Sequence, residues 1–261
     1  MIKTKVIGRV FRQDEIADQI YDMWIETELA QGARPGQFVC VYTKNAAALL
    51  PRPISICEVN EEKTMLRLVY RTVGTGTNEF AAYHAGTEIS LLGPLGNGFP
   101  VEKAAGKRVF LIGGGIGIPP MLQLSKEIKK AGQAYCELSV LGYRNELFLN
   151  TDLEKYSQVY VATEDGSAGT KGTVLDAIKE KGLSGDVIFA CGPMPMLRAI
   201  KEYAAANNME AYISLEEHMA CGVGACLGCV CKTKNVDAHS HVHNSRICTD
   251  GPVYNAEELE I

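Results

Sequence analysis

The chain has 261 residues, of which 46% are hydrophobic and 22% are charged. This length predicts about two domains with room for a small third. The 26 lysines and arginines against 31 aspartates and glutamates give a net charge of −5. Since no basic run is present, neither a nucleic acid nor an anionic membrane is expected as a partner. No stretch of about 18 apolar residues is present, and the first residues lead directly into a strand-like pattern, so we expect a cytoplasmic protein.

The first part of the chain, residues 1–100, consists of short β-branched and aromatic runs separated by Gly, Pro and Asn. This rhythm predicts a small antiparallel β-barrel. One helix is expected at Thr77–Tyr83, because a capping threonine begins it and Gly86 follows its end. The run Gly93–Pro100, rich in glycine and proline, is expected to form a linker or a wall between two domains.

The pattern changes at residues 101–210. Short apolar strands, beginning with Arg108–Ile112, alternate there with helical runs, beginning with Pro119–Lys130. This alternation predicts βαβ units and therefore an α/β domain with a doubly wound parallel sheet. Residues 211–261 are few for a core of their own, so we expect a third small domain that is held together by a metal centre.

The last part of the chain is rich in cysteine. The order Cys221-x4-Cys226-x2-Cys229, followed by Cys248, is the ligand spacing of a plant-type [2Fe-2S] cluster. Glycines between the first three cysteines let the backbone bend toward inorganic sulfide and offer N–H groups to it. We therefore predict that these four cysteines are the metal ligands of an iron–sulfur cluster.

Other uses of these cysteines remain open from the residues alone. Zinc also takes four thiolates, although zinc ribbons usually pair their ligands in two short CxxC-like hairpins. A disulfide framework is possible, but reduced thiols are the default in a chain without a signal peptide. Cys231 could exchange with Cys229 as a ligand, and we interpret it instead as a small buried residue of a strand at 230–233.

Several further cysteines and histidines receive no functional role. Three cysteines lie in apolar strand-like runs and are expected to be plain core residues: Cys40, Cys57 and Cys136. Three histidines at alternate positions would share one face if their segment formed a strand, but they lack the cysteine–histidine pairing of a Rieske centre. A solvated hairpin is the preferred interpretation for these residues: His239, His241 and His243.

A glycine-rich turn follows the first strand of the second domain. Backbone N–H groups at the following helix start could hold a pyrophosphate. The match to G-x-G-x-x-G is imperfect, because Ile118 occupies the third glycine position, and a merely tight turn remains the alternative. Ligands of open α/β sheets bind at the carboxyl ends of strands. Another predicted strand ends at Cys191, although this cysteine could instead be a packing residue. The predicted nucleotide contacts are Gly113, Gly115, Gly117, Cys191 and Gly192. These residues do not decide between NAD and NADP.

Five motifs occur in one order along the chain: Arg52-Pro53-Ile54-Ser55, Gly76-Thr77, Gly113–Pro120, Cys191-Gly192-Pro193 and the cysteine loop. In this order the chain resembles the ferredoxin-reductase-like flavoproteins, and more narrowly the electron transfer subunits of dihydroorotate dehydrogenase B. The resemblance covers essentially the whole chain. It implies an FAD-binding barrel, an NAD-binding domain and a C-terminal [2Fe-2S] domain, in that order.

The resemblance also implies which barrel residues bind FAD. The motif Arg52, Pro53, Ile54 and Ser55 is expected along the FAD, with the arginine toward the pyrophosphate and the serine near the reactive edge of the flavin ring. A guanidinium pairs with phosphate oxygens, and a hydroxyl can bond to a flavin nitrogen, so both chemistries suit. The resemblance places Val69, Tyr70 and Arg71 against the flavin, and Gly76 and Thr77 under its phosphates.

The implied function is electron relay. NADH and FAD exchange a hydride, and the cluster exchanges single electrons with FAD, so no side chain needs to act as a general acid or base. A (β/α)8 barrel with FMN takes about 250 residues and none is left over, so the electrons exchange with a partner. By resemblance this partner is the FMN-containing dihydroorotate dehydrogenase catalytic subunit, in a heterotetramer. The alternatives are the small subunit of an NADPH-dependent ferredoxin or sulfide oxidoreductase, and a zinc-stabilised interaction module.

Overall fold

The computed structural model describes residues 5–45, 47–237 and 241–261. The first part of the chain forms six strands and one helix: β1 (Lys5–Ala17), β2 (Ile20–Glu26), β3 (Phe38–Tyr42), β4 (Arg52–Val59), β5 (Met65–Arg71), α1 (Thr75–Ala81) and β6 (Glu88–Leu95). The strands close into an antiparallel barrel in the order β1-β2-β5-β4-β3-β6. The predicted antiparallel barrel is therefore confirmed.

Alternating side chains fill the barrel interior, because successive residues of a strand point to opposite faces. Fully buried residues of this core include Ile25, Leu66 and Leu91. Phe80 of α1 is also fully buried, and its ring meets that of Tyr70 edge-on at 6.2 Å. The helix thus packs onto the barrel through an aromatic contact with β5.

The helix α1 begins two residues earlier than its sequence predicts. Its N-cap is Gly74 rather than Thr77. The Thr77 hydroxyl lies in the first turn, where it accepts hydrogen bonds from the N–H groups of Val73 (2.9 Å) and Gly74 (3.2 Å). A threonine at this position satisfies free N–H groups at the helix start without being the cap itself.

The run Gly93–Pro100 is less of a linker than its composition suggests. Strand β6 continues to Leu95, so the first part of the run belongs to the barrel. Phe99, near its end, packs edge-on against Phe189 of the second part of the chain at 5.8 Å. The segment therefore forms a packed wall between the two parts.

The second part of the chain forms an α/β layer structure, as predicted. Its elements are β7 (Arg108–Gly114), α2 (Pro119–Ala131), β8 (Cys136–Tyr143), α3 (Asn150–Leu153), β9 (Gln158–Thr163), β10 (Thr170–Lys171), α4 (Val174–Glu180), β11 (Val187–Cys191), α5 (Met194–Ala206) and β12 (Glu210–Ser214). The parallel order is β10-β9-β8-β7-β11-β12. Separate buried clusters cover the two faces of the sheet, one with α2 and one with α4 and α5, which makes it doubly wound. No helix within the described ranges has the length and apolar character needed to cross a membrane.

The cysteine-rich segment is tied to this sheet at both ends. It leaves from β12, forms a small hairpin of β13 (Val230–Lys232) and β14 (Asn244–Arg246), and returns as β15 (Val253–Asn255). Strand β15 pairs antiparallel with β12 and becomes the seventh strand of the sheet. Buried side chains of the segment, among them Ile247 and Leu259, belong to the same core cluster as the sheet. A segment too short for its own core therefore shares that of its neighbour.

Candidate cofactor-binding sites

The cysteine loop offers backbone N–H groups to its own sulfur atoms. The N–H groups of Val223 and Ala225 donate to Cys221 Sγ at 3.4 and 3.3 Å, and the N–H of Gly228 donates to Cys226 Sγ at 3.4 Å. Burial would raise the pKa of Cys221, but the backbone N–H groups of Val223, Cys226 and Ala225, together with the Cys226 side chain, outweigh it and lower the pKa to about 6. The loop thus favours the thiolate, which is the form that binds a metal.

The four predicted ligands fall into two pairs. Interaction with the Cys226 thiol is among the causes that lower the pKa of Cys221, and interaction with the Cys229 thiol is among the causes that raise the pKa of Cys248. Two irons that each take two thiolates require such pairs. A single zinc ion would instead gather all four ligands around one point. The donor set therefore fits a two-iron cluster.

The structure separates Cys231 from this set. The thiol of Cys231 lies near the hydroxyl of Tyr254 on β15, and this hydroxyl donates to Ser245 Oγ at 3.1 Å. Cys231 is half-buried rather than fully buried, and it lies on β13, as the sequence predicts. The fourth ligand candidate, Cys248, is held beside the loop because the N–H of Ile247 donates to the carbonyl of Cys229 at 2.9 Å. Cys248 thus stays our predicted ligand.

The cysteine loop rests on the barrel at a position where the sequence predicted only core packing. A Cβ atom on Gly222 would lie 3.0 Å from Cys40 Sγ and 3.2 Å from Leu95 Cδ1, and the φ of Gly222 is +67°. Burial raises the pKa of Cys40 to about 12, with the thiols of Cys248 and Cys221 also close to it. Cys40 is thus a core residue and also the residue on which the cysteine loop packs.

Asn97, which follows β6, holds the segment of the fourth ligand. Its side-chain amide donates to the carbonyl of Thr249 at 3.2 Å and to that of Asp250 at 3.0 Å. Nothing in the local pattern distinguishes Asn97 from an ordinary turn residue, so sequence reasoning missed it. The barrel therefore contacts both parts of the predicted ligand set.

The predicted flavin residues lie together at one end of the barrel. Strands β4 and β5 pair antiparallel through Ile56 and Leu68, so Arg52–Ser55 and Val69–Arg71 extend toward the same end. A Cβ atom on Gly76 would overlap the side chain of Arg52, which also donates to the carbonyl of Leu50. The start of β4 and the start of α1 thus form one surface, on which the Arg52 guanidinium lies against the backbone of Gly76.

Tyr70 and Arg71 differ in their exposure. The Tyr70 ring is buried and stacks on the Tyr21 ring at 5.8 Å, and its hydroxyl donates to Gln13 Oε1 at 2.8 Å. Arg71 is exposed, and its guanidinium extends toward Gly115 of the glycine turn. Arg71 therefore connects the flavin end of the barrel with the predicted nucleotide turn.

The predicted nucleotide residues meet at the carboxyl end of the parallel sheet. Gly113 on β7 pairs in register with Cys191 on β11. A Cβ atom on Gly117 would overlap the backbone of Cys191, and one on Gly192 would lie 3.1 Å from the N atom of Gly114. Burial raises the pKa of Cys191 to about 12, so its thiol stays neutral. Glycine at these positions lets the two strand ends touch, as a backbone cradle for a ligand requires.

A cavity of about 240 Å³ lies between this sheet edge and the barrel. Its lining includes Gln19 and Arg71 from the barrel, and Gly115, Arg144 and Asn145 from the sheet edge. Arg144 directly follows β8. Its position at the end of a parallel strand is the signal from which it could have been predicted as a ligand contact. A predicted flavin residue, Arg71, and a predicted nucleotide residue, Gly115, therefore line the same cavity.

Comparisons with known proteins identify the class to which the chain belongs. A family model described as the iron–sulfur cluster binding domain of dihydroorotate dehydrogenase B matches residues 216–260, and one described as an oxidoreductase NAD-binding domain matches residues 111–202. The fold is similar to the solved structure of an NADH-dependent reduced ferredoxin-NADP oxidoreductase, with a TM-score of 0.87 and 28% identity over all of this chain and 91% of that one. A ferredoxin NADP+ reductase from Neisseria gonorrhoeae shares the fold, with a TM-score of 0.66 and 16% identity over 78% of this chain and 91% of that one. The class is therefore a ferredoxin-reductase-like oxidoreductase with an added iron–sulfur domain.

Two relatives narrow this class. The chain is 42% identical over 255 residues to the electron transfer subunit of dihydroorotate dehydrogenase B (NAD(+)) from a Geobacillus species, covering 96% of each chain. It is 40% identical over 262 residues to the subunit of the same name from Listeria monocytogenes, covering all of both chains. The chain belongs to the family of electron transfer subunits of dihydroorotate dehydrogenase B. It is an electron-relaying oxidoreductase subunit that uses FAD, a [2Fe-2S] cluster and NAD, and it works with a catalytic subunit.

Replacing Cys221 with serine is expected to remove the visible absorbance of the cluster while FAD stays bound, because the flavin residues lie on other strands. The matched control is Cys231→Ser, which removes a nearby thiol that contacts Tyr254. This control should keep full iron and sulfide content. Iron analysis and visible spectra of both variants measure the outcome, and the ligand assignment is wrong if Cys221→Ser retains the cluster or Cys231→Ser loses it.

Replacing Gly222 with alanine should lower cluster content, because the new Cβ atom meets Cys40 and Leu95 and the φ of +67° is strained for alanine. Gly228→Ala is the control in the same loop, since its Cβ atom would have only Cys226 Sγ as a neighbour, at 3.4 Å. Iron content and the midpoint potential of the cluster are the measurements. Equal values for the two variants would contradict the seating of the loop on the barrel.

Proposed function

We propose that the chain relays electrons between the FMN of a dihydroorotate dehydrogenase catalytic subunit and NAD, through its own [2Fe-2S] cluster and FAD. Dihydroorotate is oxidised to orotate on the partner, and the electrons leave this chain as NADH. Two copies of each subunit form a heterotetramer in the cytoplasm. The observation that carries the proposal is that the flavin end of the barrel contacts both other candidate sites.

On one side, the flavin strand lies next to the cluster loop. Cys40 on β3 pairs in register with Pro53 of the flavin motif on β4, and Gly222 of the cysteine loop packs on the side chain of Cys40. On the other side, Arg71 at the end of β5 extends toward Gly115 of the glycine turn. The barrel therefore lies between the two, as a relay with FAD in the middle requires.

The residues of this chain bind and orient the cofactors. Arg52 would hold the FAD pyrophosphate with its guanidinium fork, and the bare backbone of Gly76 gives it room to do so. Ser55 would offer its hydroxyl to the flavin ring. Bound FAD supplies two-electron chemistry with NAD and one-electron chemistry with the cluster. No side chain of the chain is assigned as a general acid or base.

The exposed rim of the cysteine loop is the proposed docking face for the catalytic subunit. Cys226 is exposed, and Val223 and Leu227 beside it keep 42% and 48% of their surface exposed. Apolar side chains around an electron-transfer site are typical of a surface that a partner covers.

The second candidate is the small subunit of an NADPH-dependent ferredoxin or sulfide oxidoreductase. The likeness to the ferredoxin-NADP oxidoreductase structure, with its TM-score of 0.87, favours this reading. Its identity of 28% is well below the 42% and 40% of the two subunits of dihydroorotate dehydrogenase. The dihydroorotate function is therefore the better supported one.

Co-expression with the genes that neighbour it should yield a complex that contains an FMN protein and reduces NAD with dihydroorotate. Purification of the tagged chain, flavin analysis and an NADH absorbance assay measure this. A complex that turns over NADPH and ferredoxin but not dihydroorotate would favour the second candidate. A colourless protein with stoichiometric zinc would refute electron transfer altogether.

Replacing Gly76 with alanine should weaken FAD binding by about tenfold or more, equivalent to about 1.4 kcal/mol of lost interaction. The new Cβ atom would displace the Arg52 side chain. The control is Gly74→Ala at the same helix start, where a Cβ atom meets nothing within 4 Å. Alanine is the better helix former, so weaker binding in Gly76→Ala cannot come from helix propensity. Titration of apoprotein with FAD measures both affinities, and equal affinities would refute the assigned role of Arg52.

A further inference from the structure

A buried network of charges joins the barrel to the nucleotide-binding part of the chain. Arg67 on β5 is its centre: Nη2 lies 2.8 Å from Asp22 Oδ2 and 3.0 Å from Asp152 Oδ2, and Nη1 lies 3.1 Å from Glu58 Oε2. Asp22 and Glu58 belong to the barrel, whereas Asp152 belongs to α3. The Trp24 ring covers the guanidinium at 5.6 Å.

Lys126 on α2 forms the second half of the network. Its ammonium group lies 3.2 Å from Glu58 Oε1 and 2.9 Å from Glu61 Oε1, and it donates to the carbonyl of Val59 at 3.0 Å. Gln123, one helical turn earlier, accepts a hydrogen bond from the N–H of Val59 at 2.7 Å. We call the whole set the interdomain clamp: Asp22, Glu58, Val59, Glu61, Arg67, Gln123, Lys126 and Asp152.

Burial distinguishes this network from the surface ion pairs. Among the residues that the structure describes, the charged residues that are buried are Asp22, Arg67 and Lys126, and all three belong to the clamp. A buried ion network is weak support for stability, because removing charges from water offsets much of their attraction. Its best-attested use is to specify one arrangement, since any other arrangement leaves a buried charge unpaired.

The clamp holds three elements that carry or adjoin the cofactor motifs. Strand β4 begins with the flavin motif at Arg52 and ends in the clamp at Val59. Strand β5 carries Arg67 and continues into the flavin segment 69–71. Helix α2 begins at Pro119, directly after the glycine turn, and carries Gln123 and Lys126. Because strands and helices are stiff over such lengths, the clamp fixes the flavin motif relative to the nucleotide turn.

We propose that Arg67 and Lys126 are positioning residues for hydride transfer, which hold the nicotinamide and flavin sites at a fixed separation throughout turnover. The inference rests on the proposed function. In the direction of turnover, reduced FAD transfers one hydride to NAD+ and releases one proton to water; the reverse step, from NADH to FAD with one proton from water, passes through the same geometry. Domains joined by ordinary interfaces move relative to one another. The clamp removes that freedom, so hydride transfer takes place without domain closure.

Two variants each remove one connection between the parts. Asp152→Asn removes the charge that Arg67 meets on α3, and Lys126→Met removes the charge on α2. The matched control is Asp186→Asn, whose exposed partner Arg108 lies in the same part of the chain, at 2.8 Å. Asp152→Glu keeps a carboxylate for Arg67 and tests rescue.

The test is the anaerobic reduction of bound FAD by NADH, followed at the flavin absorbance in the full chain loaded with FAD and cluster. In Asp152→Asn and Lys126→Met, the rate of hydride transfer should fall by roughly tenfold or more, because small displacements of reacting atoms cost large factors. The deuterium isotope effect with 4-deuterated NADH should rise, which loss of stability alone would not cause. The control should match the wild type, and Asp152→Glu should stay within about threefold because an ion pair remains.

Each other result overturns the proposal. Wild-type rates and isotope effects in both variants would show that the clamp does not position the cofactors, and faster hydride transfer would show that it must open. If NADH fails to reduce FAD in the wild-type chain, the proposed function itself fails, and the clamp proposal with it. Unchanged FAD content and circular dichroism identify variants that are folded.

Discussion

The absence of a Cβ atom at a few glycines decides how closely the parts of this protein approach one another. Gly222 lets the cysteine loop rest on Cys40, Gly76 leaves room for the Arg52 side chain, and Gly117 touches the backbone of Cys191. Each of these contacts lies at a different candidate cofactor site. A methyl group at any of them would push apart two backbones or a backbone and a side chain. Close backbone approach is therefore the common basis of the three sites.

Buried charge provides a second constraint, which acts at longer range. The glycine contacts bring surfaces together, but they do not fix the angle at which the barrel meets the sheet. Arg67 pairs across the junction with Asp152 on α3, and Lys126 on α2 pairs across it with Glu58 of the barrel, so neither can move away without leaving a buried charge unpaired. Glycines, which have no Cβ atom, thus allow the close contacts, and the buried ion pairs fix the orientation.

Local patterns were enough to predict the fold class and the chemistry of the cluster. The β-branched and aromatic runs of residues 1–100 and the change to strand–helix alternation after residue 100 are local properties, and so is the cysteine spacing. The pairing of β15 with β12 was not predictable in the same way, because a strand of three residues has no periodicity. The clamp, Asn97 and the second role of Cys40 depend on contacts between residues far apart in sequence. No local pattern marks such contacts.

Asn97 has a consequence for how the cluster can be acquired. Three of the predicted ligands lie on one short loop, whereas the segment of Cys248 is held by the pairing of β15 with β12 and by the Asn97 amide, which donates to the carbonyls of Thr249 and Asp250. The complete set of thiols is therefore a property of the folded chain and not of the loop peptide. Iron affinity and tertiary structure are coupled in such a case. The isolated loop peptide would therefore present only three of the four predicted thiols.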